Sequence, residues 1–236
     1  MTLPLADKLA VVTGASRGIG AATALALASR GAHVVLTART AQGLETVEQA
    51  IFDAGGSATI APLDLTETDA IARLAAAVRE RWQALDVLVL NAATLGSLAA
   101  VPAIDPKELA AVLTLNVSAQ AALIAAFDPM LRRSTGARVI AVTSSVARNP
   151  RAYWGAYGAS KAAFETLVGA YGDEVAEISA IRTAILDPGA TRTMMRARAY
   201  PGEDPRSVKE PTVVADRIAE LAVQGFAAGH FERVSA

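Results

Sequence analysis

The sequence predicts an α/β protein with a doubly wound, mostly parallel sheet of six or seven strands and helices on both faces. Two observations predict it. Short apolar runs alternate with longer, alanine-rich stretches of helix length, and a glycine-rich segment directly follows the first apolar run. A strand-helix-strand order repeated in this way forms crossover units of one open sheet. With 236 residues and no linker-like break, the chain is expected to form a single domain over residues 1–236.

The strands are predicted from short, largely apolar runs of the kind expected for strands buried on both faces. These runs cover residues 9–12, 34–37, 59–63, 87–90, 139–142 and 181–186, with a short seventh strand at 231–235.

Helix boundaries are predicted from capping residues. Thr66 precedes Asp69 by three positions, and Asp105 precedes Glu108 by three with a proline between them, as in capping boxes. Gly31 and Gly55 follow helical stretches and are predicted to end them.

A glycine-rich loop joins the first strand to a helix that runs to about residue 29. Gly14 suits a tight turn, Gly18 a close approach of the backbone to a phosphate, and Gly20 close packing of the helix on the strand. A helix N-terminus after such a loop stabilises negative charge, so the segment is typical of dinucleotide binding in a Rossmann fold. The alternative is a glycine-rich turn without a ligand.

Tyr157 and Lys161 are four residues apart in a predicted helix and therefore share one face. A phenol has a pKa near 10, and an adjacent ammonium favours its ionised form, so the pair is a candidate for proton transfer. The alternative is a surface aromatic residue beside a solvated lysine.

The composition excludes several classes of protein. The chain has no cysteine and only two histidines, His33 and His230, so disulfide scaffolds, thiolate catalysis and a metal site have no support. A net charge of −1 without runs of basic residues does not indicate binding to nucleic acid or to an anionic membrane. Residues 1–10 lack a leader pattern, so we expect a cytoplasmic protein with a small-molecule ligand. The high apolar fraction makes a homodimer or homotetramer plausible.

These motifs together resemble the short-chain dehydrogenase/reductase family over nearly the whole chain. The glycine spacing matches it, Leu-Asn116-Val matches its helical asparagine, and Tyr157 with Lys161 matches its Tyr-x-x-x-Lys motif. The other matching segments are Asn91-Ala92-Ala93, Ser144-Ser145, and Pro188-Gly189 with Thr193. The sequence departs from the family at Leu90 and Ala93, and it has no Val-Asp-Gly-Gly ending. Residues 154–157 and 191–196 are similar to the bacterial YciK-type branch.

The resemblance implies a mechanism of hydride transfer between a nicotinamide and a carbonyl or alcohol substrate. Tyr157 would be the general acid and base, Lys161 would lower its pKa and bind the ribose, and Asn116 would support a proton relay. A serine would polarise the substrate oxygen. Ser145 is expected because it holds the second place of Ser-Ser-Val, although it precedes Tyr157 by twelve residues and Ser144 has the thirteen-residue interval usual in the family.

The end of the second strand carries no acidic residue for the ribose hydroxyls of NAD. Arg39 and Arg17 offer guanidinium groups for a 2′-phosphate instead, so NADP(H) is expected and NAD(H) remains possible. Asp64 resembles the family's adenine-contacting aspartate. The expected cofactor-binding residues are Gly14, Ser16, Arg17, Gly18, Ile19, Gly20, Arg39, Asp64, Leu65, Asn91, Ala92, Ala93, Tyr157, Lys161, Pro188, Gly189 and Thr193.

The substrate itself is not identified by the sequence. An irregular loop at about residues 190–210 is expected to cover its site, and Tyr153, Trp154, Met194, Met195 and Tyr200 are candidates for the pocket border. Two other functions fit the sequence less well. A catalytically silent dinucleotide-binding sensor would not need the serine, tyrosine and lysine together, and a methyltransferase would carry an acidic residue at the end of the second strand.

Overall fold

The computed structural model describes residues 2–235. Its centre is a seven-stranded sheet in which every strand pairing is parallel, with the order β3-β2-β1-β4-β5-β6-β7. The strands are β1 (Leu9–Thr13), β2 (His33–Ala38), β3 (Ser57–Pro62), β4 (Val87–Leu90), β5 (Arg138–Val142), β6 (Arg182–Asp187) and β7 (His230–Arg233). The predicted fold class is confirmed, with seven strands and no antiparallel one among the described residues.

Eight α-helices connect the strands within residues 2–235. They are α1 (Gly18–Ala28), α2 (Ala41–Asp53), α3 (Ala70–Arg81), α4 (Pro106–Leu113), α5 (Ala119–Leu131), α6 (Gly155–Ala176), α7 (Met194–Ala199) and α8 (Pro211–Val223). Strand order reverses between β1 and β4, which leaves a crevice beyond their carboxyl ends where ligands bind in sheets of this kind.

Each face of the sheet has its own apolar core. Along β1, Ala10 and Val12 point into the core under α1, α2 and α8, whereas Leu9 and Val11 point into the core under α3, α5 and α6. All four are fully or almost fully buried. Burial on both faces explains why the strands read as continuous apolar runs rather than as alternating patterns.

One of the two predicted helix starts is correct. The Asp105 carboxylate accepts a hydrogen bond from the Lys107 amide at 2.8 Å and caps α4. The Thr66 start is wrong. The Thr66 amide and hydroxyl both donate to the Asp64 carboxylate, which holds this segment in a turn, so α3 begins only after Asp69 in left-handed backbone conformation.

Gly31 and Gly55 follow α1 and α2 with positive φ angles, as their predicted role in ending these helices requires.

The helical stretch Pro106–Leu131 is long and apolar enough to cross a membrane by length and composition alone, a test that core helices also pass. It contains a π-helical turn over Thr114–Ser118. The amide of Gln120 donates to the Ala92 carbonyl at 3.0 Å, and Phe127 is fully buried against the sheet. The stretch therefore packs one face against the sheet in this structure, with 33% of its most apolar part buried.

Candidate active site

The loops after β1 and β4 are joined by a hydrogen-bond network at the carboxyl edge of the sheet. The Thr13 hydroxyl accepts from the amides of Asn91 and Ala92, both at 3.0 Å, and donates to the Val89 carbonyl. The Asn91 side chain donates to the carbonyls of Thr13, at 2.8 Å, and Gly14. Asn91 and Ala92 thus lie at the glycine turn, and the Asn91 side chain supports that turn.

The glycine turn has the geometry predicted for it. Gly14 and Gly18 have φ angles of +66° and +57°, which favour glycine. A Cβ on Gly20 would lie 2.2 Å from the Gly14 carbonyl oxygen, so only glycine lets α1 pack this closely on the turn.

The N-terminus of α1 has no side-chain cap. Arg17 occupies the N-cap position in extended conformation and forms no capping bond to the helix. Amide groups of the first turn are thus available to an anion, and the helix dipole favours negative charge there. Together with the cramped glycine turn, this geometry fits the pyrophosphate of a dinucleotide. Ser16 and Ile19 belong to the same turn.

Arg39 follows β2 and is exposed. The Asp64 carboxylate beyond β3 accepts from the Thr66 amide at 2.9 Å and the Thr66 hydroxyl at 2.7 Å. These bonds, with a smaller effect of Arg39, lower the pKa of Asp64. Within residues 2–235 Arg39 has no ion pair within contact distance, so its guanidinium is available to a ligand. Leu65 is buried in the core under α3.

Tyr157 and Lys161 lie on one buried face of α6, with 7% and 3% of their surfaces exposed. The Lys161 ammonium donates to the Val142 carbonyl at 2.8 Å and lies 6.0 Å from the centre of the Tyr157 ring. Burial lowers the pKa of Lys161 to about 8, against which the Glu165 carboxylate acts. The two side chains are thus fixed near the end of β5.

The pKa of the Tyr157 phenol is raised, first by burial and then by the Asp187 carboxylate, whereas a hydrogen bond with Ser144 lowers it. The net direction is opposite to the one expected from Lys161. Desolvation of a fully buried phenol opposes its ionisation and outweighs the neighbouring groups. A phenol is already protonated at neutral pH, and burial here opposes its ionisation further.

Ser145, the serine expected to polarise the substrate oxygen, lies on the loop after β5 together with Ser144, and its role stays a prediction. The Ser145 hydroxyl accepts from the Arg151 guanidinium at 3.2 Å, and Ser145 begins the 3₁₀ turn Ser145–Ala147. Ser144, in extended conformation just after β5, is the serine whose side chain lowers the pKa of the Tyr157 phenol. Because the chain turns between the two residues, their hydroxyls face different partners.

Asn116 is fully buried and connects α6 to the loop after β4. Its amide donates to the Thr94 carbonyl at 2.9 Å and to the Ser160 hydroxyl at 3.0 Å, and its oxygen accepts from the Thr94 amide. Ser160 in turn donates to the Tyr157 carbonyl at 2.7 Å. Asn116 thus helps to fix the backbone of the tyrosine, and its part in a proton relay stays a prediction.

Helix α7 covers both loops of the site. At its N-terminus Thr193 accepts from the Arg196 amide and caps the helix, and its methyl group lies beside Gly18. The Arg17 guanidinium is 3.5 Å from the Met194 sulfur. At the other end, the Tyr200 hydroxyl accepts from Arg151 at 3.3 Å. The helix therefore lies across the site from the glycine turn to the serine loop.

An apolar wall adjoins the phenol. Leu95, Val146 and Tyr157 form a small buried cluster, and the partly buried residues packed against it are Leu98, Trp154, Met195 and Ala199. Trp154 meets Tyr157 edge-on at 6.0 Å and Tyr200 at 5.7 Å between ring centres. Of the five predicted border residues, Trp154, Met195 and Tyr200 lie here, whereas Tyr153 and Met194 are mostly exposed.

Several residues that hold the loops of the site in place were not predicted from the sequence. Thr143 and Arg148 both donate to the Glu165 carboxylate at 2.7 Å, which ties the serine loop to α6. Asp187, at the end of β6, is buried and accepts from the Gly189 amide at 2.9 Å in the Pro188-Gly189 turn. Only the position of Asp187 before Pro-Gly offered a signal. The Glu165 contacts depend on folding that a linear pattern does not encode.

Comparisons with known proteins match these features. Residues 8–204 match the family model described as short chain dehydrogenase. The chain is 35% identical to the uncharacterized oxidoreductase YciK of Escherichia coli over 210 residues, which are 88% of this chain and 82% of YciK. A short chain dehydrogenase from Salmonella enterica serovar Typhi superposes with a TM-score of 0.93 at 32% identity, covering 100% of this chain and 99% of that one. A metagenomic short-chain oxidoreductase solved with NADP gives 0.84 at 34% identity, covering 99% of each chain.

Proposed function

The chain belongs to the short-chain dehydrogenase family of oxidoreductases, and from this premise we propose that it interconverts a carbonyl compound and the corresponding alcohol with NADP(H). The observation that carries the proposal is the buried pair of Tyr157 and Lys161, which lies at the same sheet edge as the uncapped N-terminus of α1. A proton-transfer group and an anion site at one sheet edge are what this chemistry needs.

Positive charge near the glycine turn and the end of β2 favours NADP(H) over NAD(H). Arg17 lies in the glycine turn, and Arg39 follows β2. Within residues 2–235, neither has a carboxylate partner within ion-pair distance. Both guanidinium groups can therefore bind the 2′-phosphate. NADP in the metagenomic relative supports this choice for the present chain. NAD(H) is the less favoured alternative, because the end of β2 has no carboxylate for the ribose hydroxyls.

A bound nicotinamide would supply or accept the hydride, and side chains of the protein would transfer the proton. The Tyr157 phenol, whose pKa is raised further by burial, donates to the substrate oxygen during carbonyl reduction. Ser144 stabilises the charge that develops on that oxygen, as a preorganised donor. Lys161 is held by the Val142 carbonyl where it can bind a ribose hydroxyl. A protonated phenol suits reduction at neutral pH, whereas alcohol oxidation needs the phenolate.

The segment 190–210, with α7 and the 3₁₀ turn Pro205–Ser207, forms the cover of the substrate site in this proposal. Trp154, Met195 and Tyr200 supply apolar and aromatic surface beside the phenol. Covering the site excludes water and strengthens the interactions of Tyr157 and Ser144 with the substrate oxygen.

A fluorescence titration with NADPH and NADH, followed by a panel of carbonyl compounds, tests the proposal. We expect tighter binding of NADPH, and NADPH oxidation with at least one carbonyl compound. Binding without turnover across a broad panel would favour a catalytically silent dinucleotide-binding protein. Absence of binding by either nucleotide would contradict the proposal as a whole.

A further inference from the structure

Arg151 is a cation at the edge of the apolar wall, with hydrogen bonds to both sides of the substrate mouth. Its Nη2 atom donates to the Ser145 hydroxyl at 3.2 Å, on the serine loop, and its Nη1 atom donates to the Tyr200 hydroxyl at 3.3 Å, on the cover. Both acceptors are neutral. Its charge is therefore not neutralised by these contacts.

Three neighbouring arginines are paired with carboxylates. Arg148 binds Glu165, Arg192 binds Glu210, and Arg196 binds Glu203 through two hydrogen bonds. Within residues 2–235, Arg151 has no carboxylate within ion-pair distance. A guanidinium has five N–H donors in a planar fork, so donors remain for a further acceptor, and a carboxylate matches their geometry.

The place of Arg151 relative to the phenol limits what an acceptor would be attached to. Its partner Tyr200 is 5.7 Å from the ring of Trp154, which is itself 6.0 Å from the ring of Tyr157. Two aromatic side chains, Tyr200 and Trp154, thus lie between the anion-binding donors and the proton donor. A molecule that reaches both has an apolar or aromatic body between its two polar ends.

We propose that Arg151 binds a carboxylate on the substrate, and that the substrates are oxo acids with an apolar or aromatic body. This inference rests on the proposed carbonyl reduction and names its substrate class. A suitable probe is 4-carboxybenzaldehyde. A hydride from NADPH adds to the aldehyde carbon and a proton from Tyr157 adds to its oxygen, giving 4-(hydroxymethyl)benzoate and NADP⁺ while the carboxylate stays intact.

The test compares kcat/KM for 4-carboxybenzaldehyde and for its neutral methyl ester, methyl 4-formylbenzoate. The ratio of acid to ester is measured in the wild type, Arg151→Met and Arg151→Lys. Arg198→Met is the matched control, because Arg198 is an exposed arginine of α7 that carries the same charge. We expect the ratio to fall about tenfold to a hundredfold in Arg151→Met, since a charge-assisted pair is lost. It should fall less in Arg151→Lys and stay unchanged in Arg198→Met.

A second readout requires neither nicotinamide nor turnover. Trp154 lies in the apolar wall, so its fluorescence reports ligand binding there, and a Trp82→Phe background removes the signal of the other tryptophan. We expect 4-(hydroxymethyl)benzoate to bind more tightly than its methyl ester, with the difference lost in Arg151→Met.

Three results would overturn the inference. An equal kcat/KM for acid and ester in the wild type would mean that no anion is recognised. An equal loss for both substrates in Arg151→Met would mean that Arg151 only fastens the cover through Tyr200. Reduction of the ester alone would refute the oxo-acid class while leaving carbonyl reduction intact. Preferential binding of the acid without turnover would support the Arg151 site and count against the proposed function.

Discussion

Replacing Ser144 by alanine should remove a large part of the catalytic rate, whereas replacing Ser145 should not. Ser144 is the serine whose hydroxyl interacts with the Tyr157 phenol, and the Ser145 hydroxyl instead accepts from Arg151. Removing one preorganised donor to a developing oxyanion costs about 10²–10³ in kcat, or about 3–4 kcal/mol. Loss of the partly exposed Ser145 bond should cost about tenfold at most.

The assay is carbonyl-dependent NADPH oxidation in both variants, with the melting temperature as a control for folding. A pH profile of alcohol oxidation adds a second readout. The hydrogen bond with Ser144 lowers the pKa of Tyr157, so its loss raises that pKa further. Because oxidation needs the phenolate, the rising limb of the profile should move to higher pH in Ser144→Ala and stay in place in Ser145→Ala.

The reverse order of the two losses in kcat would refute the role given to Ser144. If Ser145→Ala lost about a hundredfold or more in kcat and Ser144→Ala stayed close to the wild type, the serine predicted first from the sequence would be the one that acts. Equal losses in two well-folded variants would show that the thirteen-residue interval does not decide the role.

Three further predictions concern the cofactor, packing and pH. Arg39→Ala should weaken NADPH binding about tenfold or more and leave NADH binding nearly unchanged in fluorescence titrations, because one charged contact to the 2′-phosphate is lost; equal weakening of both would contradict this. Gly20→Ala places a Cβ 2.2 Å from a backbone carbonyl oxygen, so it should lower the free energy of unfolding by about 1–3 kcal/mol or more. Gly169→Ala lies in open space on α6 and should raise the free energy of unfolding by about 0.5–1 kcal/mol. A higher melting temperature for Gly20→Ala would refute the packing argument. Burial lowers the pKa of Lys161 from 10.5 to about 8, so the unfolded chain binds more protons between these values and the free energy of unfolding should rise with pH across that window. Denaturant unfolding of Lys161→Met should lack this contribution, and an identical pH slope in both proteins would contradict it.

The fold could be predicted from the sequence because its signals are local. Strands buried on both faces read as apolar runs, and β4 even has the predicted bounds. The failure at Thr66 has a physical cause: the same threonine that suits a helix cap also suits a turn around Asp64, and the turn forms. A spacing rule does not distinguish these two uses of one hydroxyl.

The site was predicted less completely than the fold. The spacing of Tyr157 and Lys161 shows that they share a helix face, but not that both are buried, and burial sets the direction of the phenol's pKa. Whether Ser144 or Ser145 faces the phenol depends on a backbone turn that begins between them. The contacts of Arg151 arise only when the cover folds over the serine loop.

The most direct test of the proposed oxidoreductase activity is NADPH oxidation by carbonyl compounds in the wild type and in Tyr157→Phe, with NADPH binding measured on both. We predict turnover by the wild type and a loss of about 10²–10⁴ in kcat in Tyr157→Phe. Both proteins should bind NADPH equally well. Full turnover in Tyr157→Phe would contradict the role of the phenol as the proton donor.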